Sequence, residues 1–306
     1  MKIGLVDLDT SHPKSWLPIH RELGHEVVGV WDGGAVHPAG YAETFAKENG
    51  IPSVFGSLEE MARSVDCAIL HGCDWDTHVD KARPFASAGK AILVDKPIAG
   101  KLKDLRQMLS WARSGIRISG GSSLRFCFEA RDYLALPEEE RGKPHTVVAG
   151  CGVDEFNYGI HAYSLLSGIL GQGISRVKDL GGENLRRVEV RWEDGRMGLV
   201  LVPVKGGYVP FHATLISDRA VHHIKPEAGS LYRGELERVL PYLSGQAPDP
   251  PVPFEALIEP ELAALAARQS GLNHGQEVRL ADLSEEDPGF DGAAFALEYK
   301  NAKYGG

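Results

Sequence analysis

The sequence predicts a two-domain α/β protein. An N-terminal Rossmann-type, doubly wound parallel sheet covers residues 1–121, and a C-terminal α+β domain with an open, mainly antiparallel sheet covers 122–306. Three observations carry this prediction. Apolar runs alternate with helical stretches through the first 121 residues, the signature of strand–helix crossovers. Ala91-Ile92-Leu93-Val94 is apolar without alternation, as expected of a strand covered on both faces. Beyond residue 122 the pattern turns to hairpins, the clearest at Glu193-Asp194-Gly195-Arg196 between Val188–Trp192 and Met197–Val202.

In order, Ile3–Val6 is the first strand and Pro13–Leu23 the first helix. Val27–Trp31 is a strand ending at Asp32-Gly33-Gly34, and Tyr41–Asn49 is a helix closed by Gly50. Ser57-Leu58-Glu59-Glu60 opens a helix with a capping signature. Cys67–Leu70 is a strand, Thr77–Ala88 a helix, and Ala91–Val94 the next strand; Leu102–Ser114 and Ile116–Ser119 complete the alternation before Gly120-Gly121. Tyr208–Ser217 and Ala220–Ile224 form a second hairpin, and helices follow near Leu231–Leu243 and Glu255–Arg268. The strand at 91–94 runs into Asp95-Lys96-Pro97. Proline has no N–H to continue a ladder, so Lys96 stands at the carboxyl end of a central strand, the edge where open α/β sheets bind ligands.

The formal charge of −9 argues against a nucleic-acid or anionic membrane partner. The chain has no apolar run of about 18 residues to cross a bilayer. Cys67, Cys73, Cys127 and Cys151 show neither CxxC pairing nor zinc-type spacing, which suits free thiols in a reducing, cytoplasmic setting.

Four stretches together resemble the Gfo/Idh/MocA family of sugar and polyol dehydrogenases. Val65–Leu70 with Asp76-Thr77-His78 is similar to the family's fourth strand and turn, and Gly89–Pro97 to its Glu-Lys-Pro segment, with Asp95 for Glu. Asn157-Tyr158-Gly159-Ile160-His161 is similar to Asp-x-Gly-x-His at the start of the catalytic helix, and the order of the tail to Leu280 also fits. The resemblance implies an oxidoreductase that oxidises a hydroxyl of a sugar, polyol or hydroxy acid with NAD. Lys96 corresponds to the active-site lysine, His161 to the histidine that takes the substrate hydroxyl proton, and Asn157 to an aspartate. Arg125 is similar to an arginine that positions a polar substrate. A homodimer or homotetramer is expected by the same analogy.

The phosphate loop departs from the family. Aligned on Ile3–Val6, the three glycines of Gly-x-Gly-x-x-Gly fall on Asp7, Asp9 and His12. Two carboxylates there would repel a diphosphate. Asp32 keeps the place of the ribose-binding acid, and its charge disfavours the 2′-phosphate of NADP. Either NAD binds a loop remade from Asp7, Asp9, Thr10, Ser11 and His12, with Asp32, Asp74, His78 and Asp95 around it, or the dinucleotide has been lost. In the second case the acids and histidines at the strand ends offer ligands for Mn, Zn or Fe(II), and the chain is a lyase, isomerase or hydrolase, or a non-catalytic binding protein.

Each residue also has a plainer reading. Lys96 can be a surface lysine, His161 a helix-start histidine packed on Tyr163, and Asp32 a turn acid. Asp9-Thr10-Ser11 can simply cap the helix that Pro13 opens, and His78 can brace the following helix.

Overall fold

The computed structural model describes residues 1–204 and 207–305. The chain divides into two compact units: 1–120 with 236–254 and 291–306, and 121–235 with 255–290.

The first unit carries strands β1 (Lys2–Val6), β2 (Glu26–Trp31), β3 (Ser53–Val54), β4 (Cys67–Leu70), β5 (Ala91–Asp95) and β6 (Ile118–Gly121), in sheet order β3-β2-β1-β4-β5-β6. Pairs β1–β2, β1–β4, β2–β3 and β4–β5 are parallel. Every residue of β4 and β5 is buried, as their unbroken apolar runs require. Helices α1 (His12–Glu22), α2 (Tyr41–Asn49), α3 (Leu58–Ser64), α4 (His78–Ser87) and α5 (Leu102–Arg113) make the crossovers. The Ser57 cap accepts the Glu60 N–H at 3.2 Å, and Gly50 closes α2 at φ +64°, where glycine carries no Cβ penalty. Strand order reverses between β1 and β4, so their carboxyl ends open a crevice.

The second unit contains α6 (Phe128–Ala135), α7 (Glu138–Arg141), β7 (Pro144–Gly152), α8 (Gly159–Leu170), β8 (Ile174–Gly181), β9 (Leu185–Trp192), β10 (Met197–Pro203), β11 (Val209–Ser217) and β12 (Val221–Ile224). After α9 (Leu231–Leu243) and α10 (Phe254–Leu257) come α11 (Glu259–Leu272) and β13 (Val278–Arg279). The sheet order is β12-β11-β7-β10-β9-β8-β13. Both expected hairpins are present, with Gly195 at φ +91° in the first turn. The sheet is mainly antiparallel, but β7 and β10 pair in parallel, because α8 and the β8–β9 pair intervene between them in the chain. All of α8 except Gly168 is buried, so it is apolar around its whole circumference.

The expected single division at 121/122 needs one correction. Segments 236–254 and 291–306 pack with the first unit. The last of these is α12 (Gly292–Tyr304). Its start is tied down by Gly292 N–H to the Asp76 carboxylate (3.1 Å), and Phe295 stacks on Trp75 with ring centroids 5.0 Å apart. These aromatic contacts bury surface that a solvated tail would leave exposed.

Candidate active site

At the carboxyl edge of the first sheet, the turn from β1 to α1 folds its acids inward. Asp7 is fully buried and adopts φ +63°, the left-handed conformation that the family's first glycine would take freely. Its carboxylate holds that strained backbone by accepting from the Gly33 N–H (3.1 Å) and from the Lys81 ammonium (2.6 Å). Asp9, also fully buried, accepts the Cys73 N–H at 2.9 Å, while its other oxygen has no hydrogen-bond partner. Burial, then the charge of Asp7, pushes the Asp9 carboxyl up to about 6. The main chain of the turn is braced too, with His37 on the Leu8 carbonyl (3.0 Å) and Lys303 of α12 on the Asp9 carbonyl (3.1 Å).

His12, at the third glycine position, meets Asp95 at the end of β5. The His12 Nδ1–Asp95 Oδ2 distance is 2.6 Å. The same oxygen lies 3.0 Å from Nδ1 of His71, which follows β4, and the other oxygen accepts the Lys96 N–H at 2.8 Å. Burial alone would raise Asp95, but the charge and hydrogen bonds of His12 and His71 outweigh it and hold the carboxyl well below its usual range. An ionised carboxylate only accepts, so each of the two Nδ1 atoms carries a proton directed at it. Burial lowers His71, which keeps it neutral, and its Nε2 lies buried without a hydrogen-bond partner. These three donor groups cluster within 4.8 Å, yet the carboxylate oxygen sits between the two nitrogens at charge-assisted hydrogen-bond distances. The geometry is that of a proton-sharing triplet.

Several expected cofactor contacts are instead internal braces. Asp7 and Asp9 are turned inward, and His78, fully buried, faces the carbonyls of Ile98 and Gly72 at 2.9 Å each. Asp74 caps the short turn before α4 by accepting from Asp76 N–H (3.2 Å). The expected repulsion of a diphosphate is reduced, since Lys81 neutralises Asp7 and Asp9 is pushed toward protonation. Thr10 accepts the His12 N–H at 3.2 Å. Ser11 occupies the N-cap of α1 without a side-chain cap bond, and no acid lies in the first turn.

A dinucleotide needs a nucleoside slot, an acid for the ribose and an open helix start for the phosphates. A cleft of about 240 Å³ beside β2 and β3 is walled by Trp31, Tyr41, Val54 and Phe55, with Asp32 on its rim. Together with the uncapped start of α1, these residues fit that group. A larger polar cavity of about 710 Å³, among Asp66, Lys90 and Arg117, lies at the opposite edge of the sheet and touches none of them.

In the second unit, His161 lies in the first turn of α8 and is 7% exposed. The loop before it is built by Asp154, whose Oδ1 accepts the N–H groups of Phe156 (3.0 Å) and Tyr158 (2.9 Å); Asn157 is half-buried in that loop. Gly152 has φ +89°, and a Cβ there would come 2.3 Å from that of Tyr158, so only glycine lets the loop close. Phe211 meets the His161 ring edge-on at 5.5 Å, and Ser122 Oγ lies 2.6 Å from its Nδ1. Ser122 Oγ already accepts the Leu124 N–H at 3.1 Å. Its own buried proton needs an acceptor, and among the described residues His161 Nδ1 is the one within reach. That bond leaves the His161 ring proton on Nε2. Arg125 donates to Ser167 Oγ (3.1 Å) and the Ala256 carbonyl (3.3 Å), which fastens α8. Lys96 belongs to the first unit and His161 to the second. Sequence reasoning missed His71, Lys81 and Ser122, each a single polar residue next to a strand end or on a helix with no motif around it.

Residues 2–118 match the model of the oxidoreductase family with an NAD-binding Rossmann fold. The trans-1,2-dihydrobenzene-1,2-diol dehydrogenase of Oryctolagus cuniculus is 36% identical over 112 residues, 36% of this chain and 32% of that protein. The Sus scrofa enzyme of the same name is 31% identical over 153 residues, 49% of this chain and 43% of that protein. The matches thus span about a third to two fifths of these relatives' length. Among solved structures, a probable dehydrogenase from Thermotoga maritima superposes with TM-score 0.79 at 15% identity, covering 93% of this chain and all of that one. Scyllo-inositol dehydrogenase from Lactobacillus casei, solved with NAD(H) and scyllo-inositol, gives TM-score 0.74 at 14% identity, covering 92% and 99%. At such identities the superpositions establish the fold. The family match thus covers the N-terminal Rossmann domain, residues 2–118, and over the rest of the chain the likeness to these dehydrogenases is one of fold.

Proposed function

We propose that this protein is an NAD-dependent oxidoreductase acting on a hydroxyl group of a small polyol, sugar or diol. The observation that carries the reading is the first unit's carboxyl edge, where a nucleoside-sized cleft rimmed by Asp32 and the uncapped start of α1 share the sheet end with Lys96. The relatives support the substrate class, being named for diols and inositols. Trp31, Tyr41, Val54 and Phe55 would hold the nucleoside, and Asp32 the ribose hydroxyls. Asp32 favours NAD over NADP by its charge. Thr10, Ser11 and the N–H groups of the first turn of α1 would face the diphosphate. When bound, the nicotinamide supplies a hydride acceptor. Within the first unit Lys96 would stabilise negative charge on a substrate oxygen, and within the second His161 offers an Nε2–H donor. Asn157 stands where the family has an aspartate, and its amide can hydrogen-bond a substrate without supplying a negative charge.

The test is titration of NADH into the purified protein, read by quenching of Trp31 and energy transfer to the nicotinamide. Binding in the micromolar range, weakened about tenfold by Asp32→Ala, is expected. No binding of either NADH or NADPH at millimolar concentration would overturn the reading.

A further inference from the structure

The crevice assigned to the dinucleotide lies at the carboxyl edge of the first sheet. The amino edge carries the cavity of about 710 Å³, which the oxidoreductase reading leaves unused. Small-molecule sites run from roughly 300 to 1,000 Å³, so its size suits a ligand. Met1, Asp66, Lys90 and Arg117 line it, and they stand immediately before β1, β4, β5 and β6. These four strands are consecutive in the sheet, and adjacent strands lie only ~4.8 Å apart. Lys90 and Arg117 are therefore neighbours, in a register fixed by the Ile92 N–H donating to the Arg117 carbonyl at 2.9 Å.

Neither cation is neutralised by the protein. Among the described residues, Lys90 and Arg117 form no ion pair. Asp66, on the strand beside Lys90, turns the other way, and its Oδ2 accepts the Lys2 N–H of β1 at 2.7 Å. Gly245, in the turn after α9, has φ +80°, and a Cβ there would come 3.0 Å from Arg117 Nη1. The guanidinium thus lies against main chain rather than against an acid. Two like charges on adjacent strands repel, and an anion between them removes that repulsion.

The rest of the wall has the opposite polarity. Gly89, Gly115 and Leu243 mark the carboxyl ends of α4, α5 and α9. The last turn of a helix leaves carbonyls without intrahelical partners, at the negative end of its dipole. Such a wall opposes a bare anion but accepts hydrogen bonds from hydroxyl groups.

We propose that this cavity is a second small-molecule site, for a hydroxylated organic phosphate of the sugar-phosphate class. Lys90 and Arg117 take the phosphate, and the helix-end carbonyls accept from the hydroxyls. Arg117 offers a planar fork that spans two phosphate oxygens, and Lys90 a point charge. A phosphate monoester carries nearly two negative charges at neutral pH, which matches two cations, whereas a carboxylate carries one. The site shares no residue with the dinucleotide crevice and does not depend on the oxidoreductase reading.

Glucose 6-phosphate is the probe, titrated by calorimetry into the intact protein at low ionic strength, with glucose and inorganic phosphate in parallel. A Kd on the order of 0.1–1 mM is expected, weakened about tenfold by Lys90→Gln and by Arg117→Gln and kept within about threefold by Lys90→Arg. Lys90 is half-buried and Arg117 exposed, so these changes leave the core intact. Inorganic phosphate should bind about fivefold more weakly, because it lacks the hydroxyls, and glucose not at all. NADH affinity, measured separately at the other edge of the sheet, should stay within about twofold in each variant. Three results would each overturn the proposal: no binding of glucose 6-phosphate at about 10 mM, both glutamine variants binding it as wild type does, or inorganic phosphate or glucose binding as tightly as the sugar phosphate. A failure of NADH to bind alters none of these readouts.

Discussion

Two imidazoles, one in each unit, are clamped through the same ring atom and end with opposite chemistry. His12 meets Asp95, 83 residues away in sequence, and His161 meets Ser122, 39 residues away. A carboxylate can only accept, so His12 keeps a proton on Nδ1. A hydroxyl whose oxygen is already engaged by a main-chain N–H must donate, so His161 keeps its proton on Nε2. The lesson is that the residue type alone does not decide whether a histidine nitrogen donates or accepts. The partner behind it does, and that partner is fixed by the fold.

The comparison breaks most forcefully at Asp95. Asp95→Asn removes an acceptor of three hydrogen bonds, two from imidazoles, and leaves an amide whose own N–H groups face ring nitrogens. A loss of roughly 3 kcal/mol in urea unfolding at neutral pH is expected. The deficit should shrink in acid. Asp95 has a folded pKa held below its unfolded value, so its contribution is present above about 4 and is lost as pH falls through the folded pKa.

Asp9 sharpens the contrast within the first unit, since it is a buried acid without the imidazoles that steady Asp95. Its folded pKa of about 6 exceeds the reference value of 3.8. The stability it contributes is therefore fully present below 3.8 and lost as pH rises through 6. Asp9→Asn should stabilise the protein by roughly 2 kcal/mol at pH 7.5 and by little at pH 4, read as the shift in urea midpoint at the two pH values. A variant equally stable with wild type at both would show that Asp9 does not carry this strain.

Ser122→Ala is the mildest cut. It removes the donor to His161 Nδ1 and the acceptor for Leu124 N–H, at a cost of about 1–2 kcal/mol in thermal unfolding. Its larger effect is on polarity: His161 should lose its preference for Nε2–H, and Ser122→Thr should restore it.

Much of the scaffold was legible because it rests on local rules. Cys67–Leu70 and Tyr41–Asn49 are read to the residue, as a buried apolar run and an amphipathic helix closed by glycine. Asp194-Gly195 announces its hairpin. The elements that went unread lack such punctuation. β3 has two residues, and β7 and β8 mix polar with apolar positions. No local pattern signals that β7 will lie parallel to β10. The site divides in the same way. Lys96 and Asp95 were placed by a strand and a proline, and the pairing of strand-end acids with histidines was visible in type. That Asp7 would turn inward to Lys81, or Asp95 bind His71, depends on contacts spanning 74 and 24 residues, which periodicity does not encode.

The most direct measurement is the tautomeric state of both histidines in one sample, by long-range proton–nitrogen correlation with assignments from His12→Gln and His161→Gln. The account requires Nδ1–H at His12 and Nε2–H at His161. The same tautomer at both sites would contradict it.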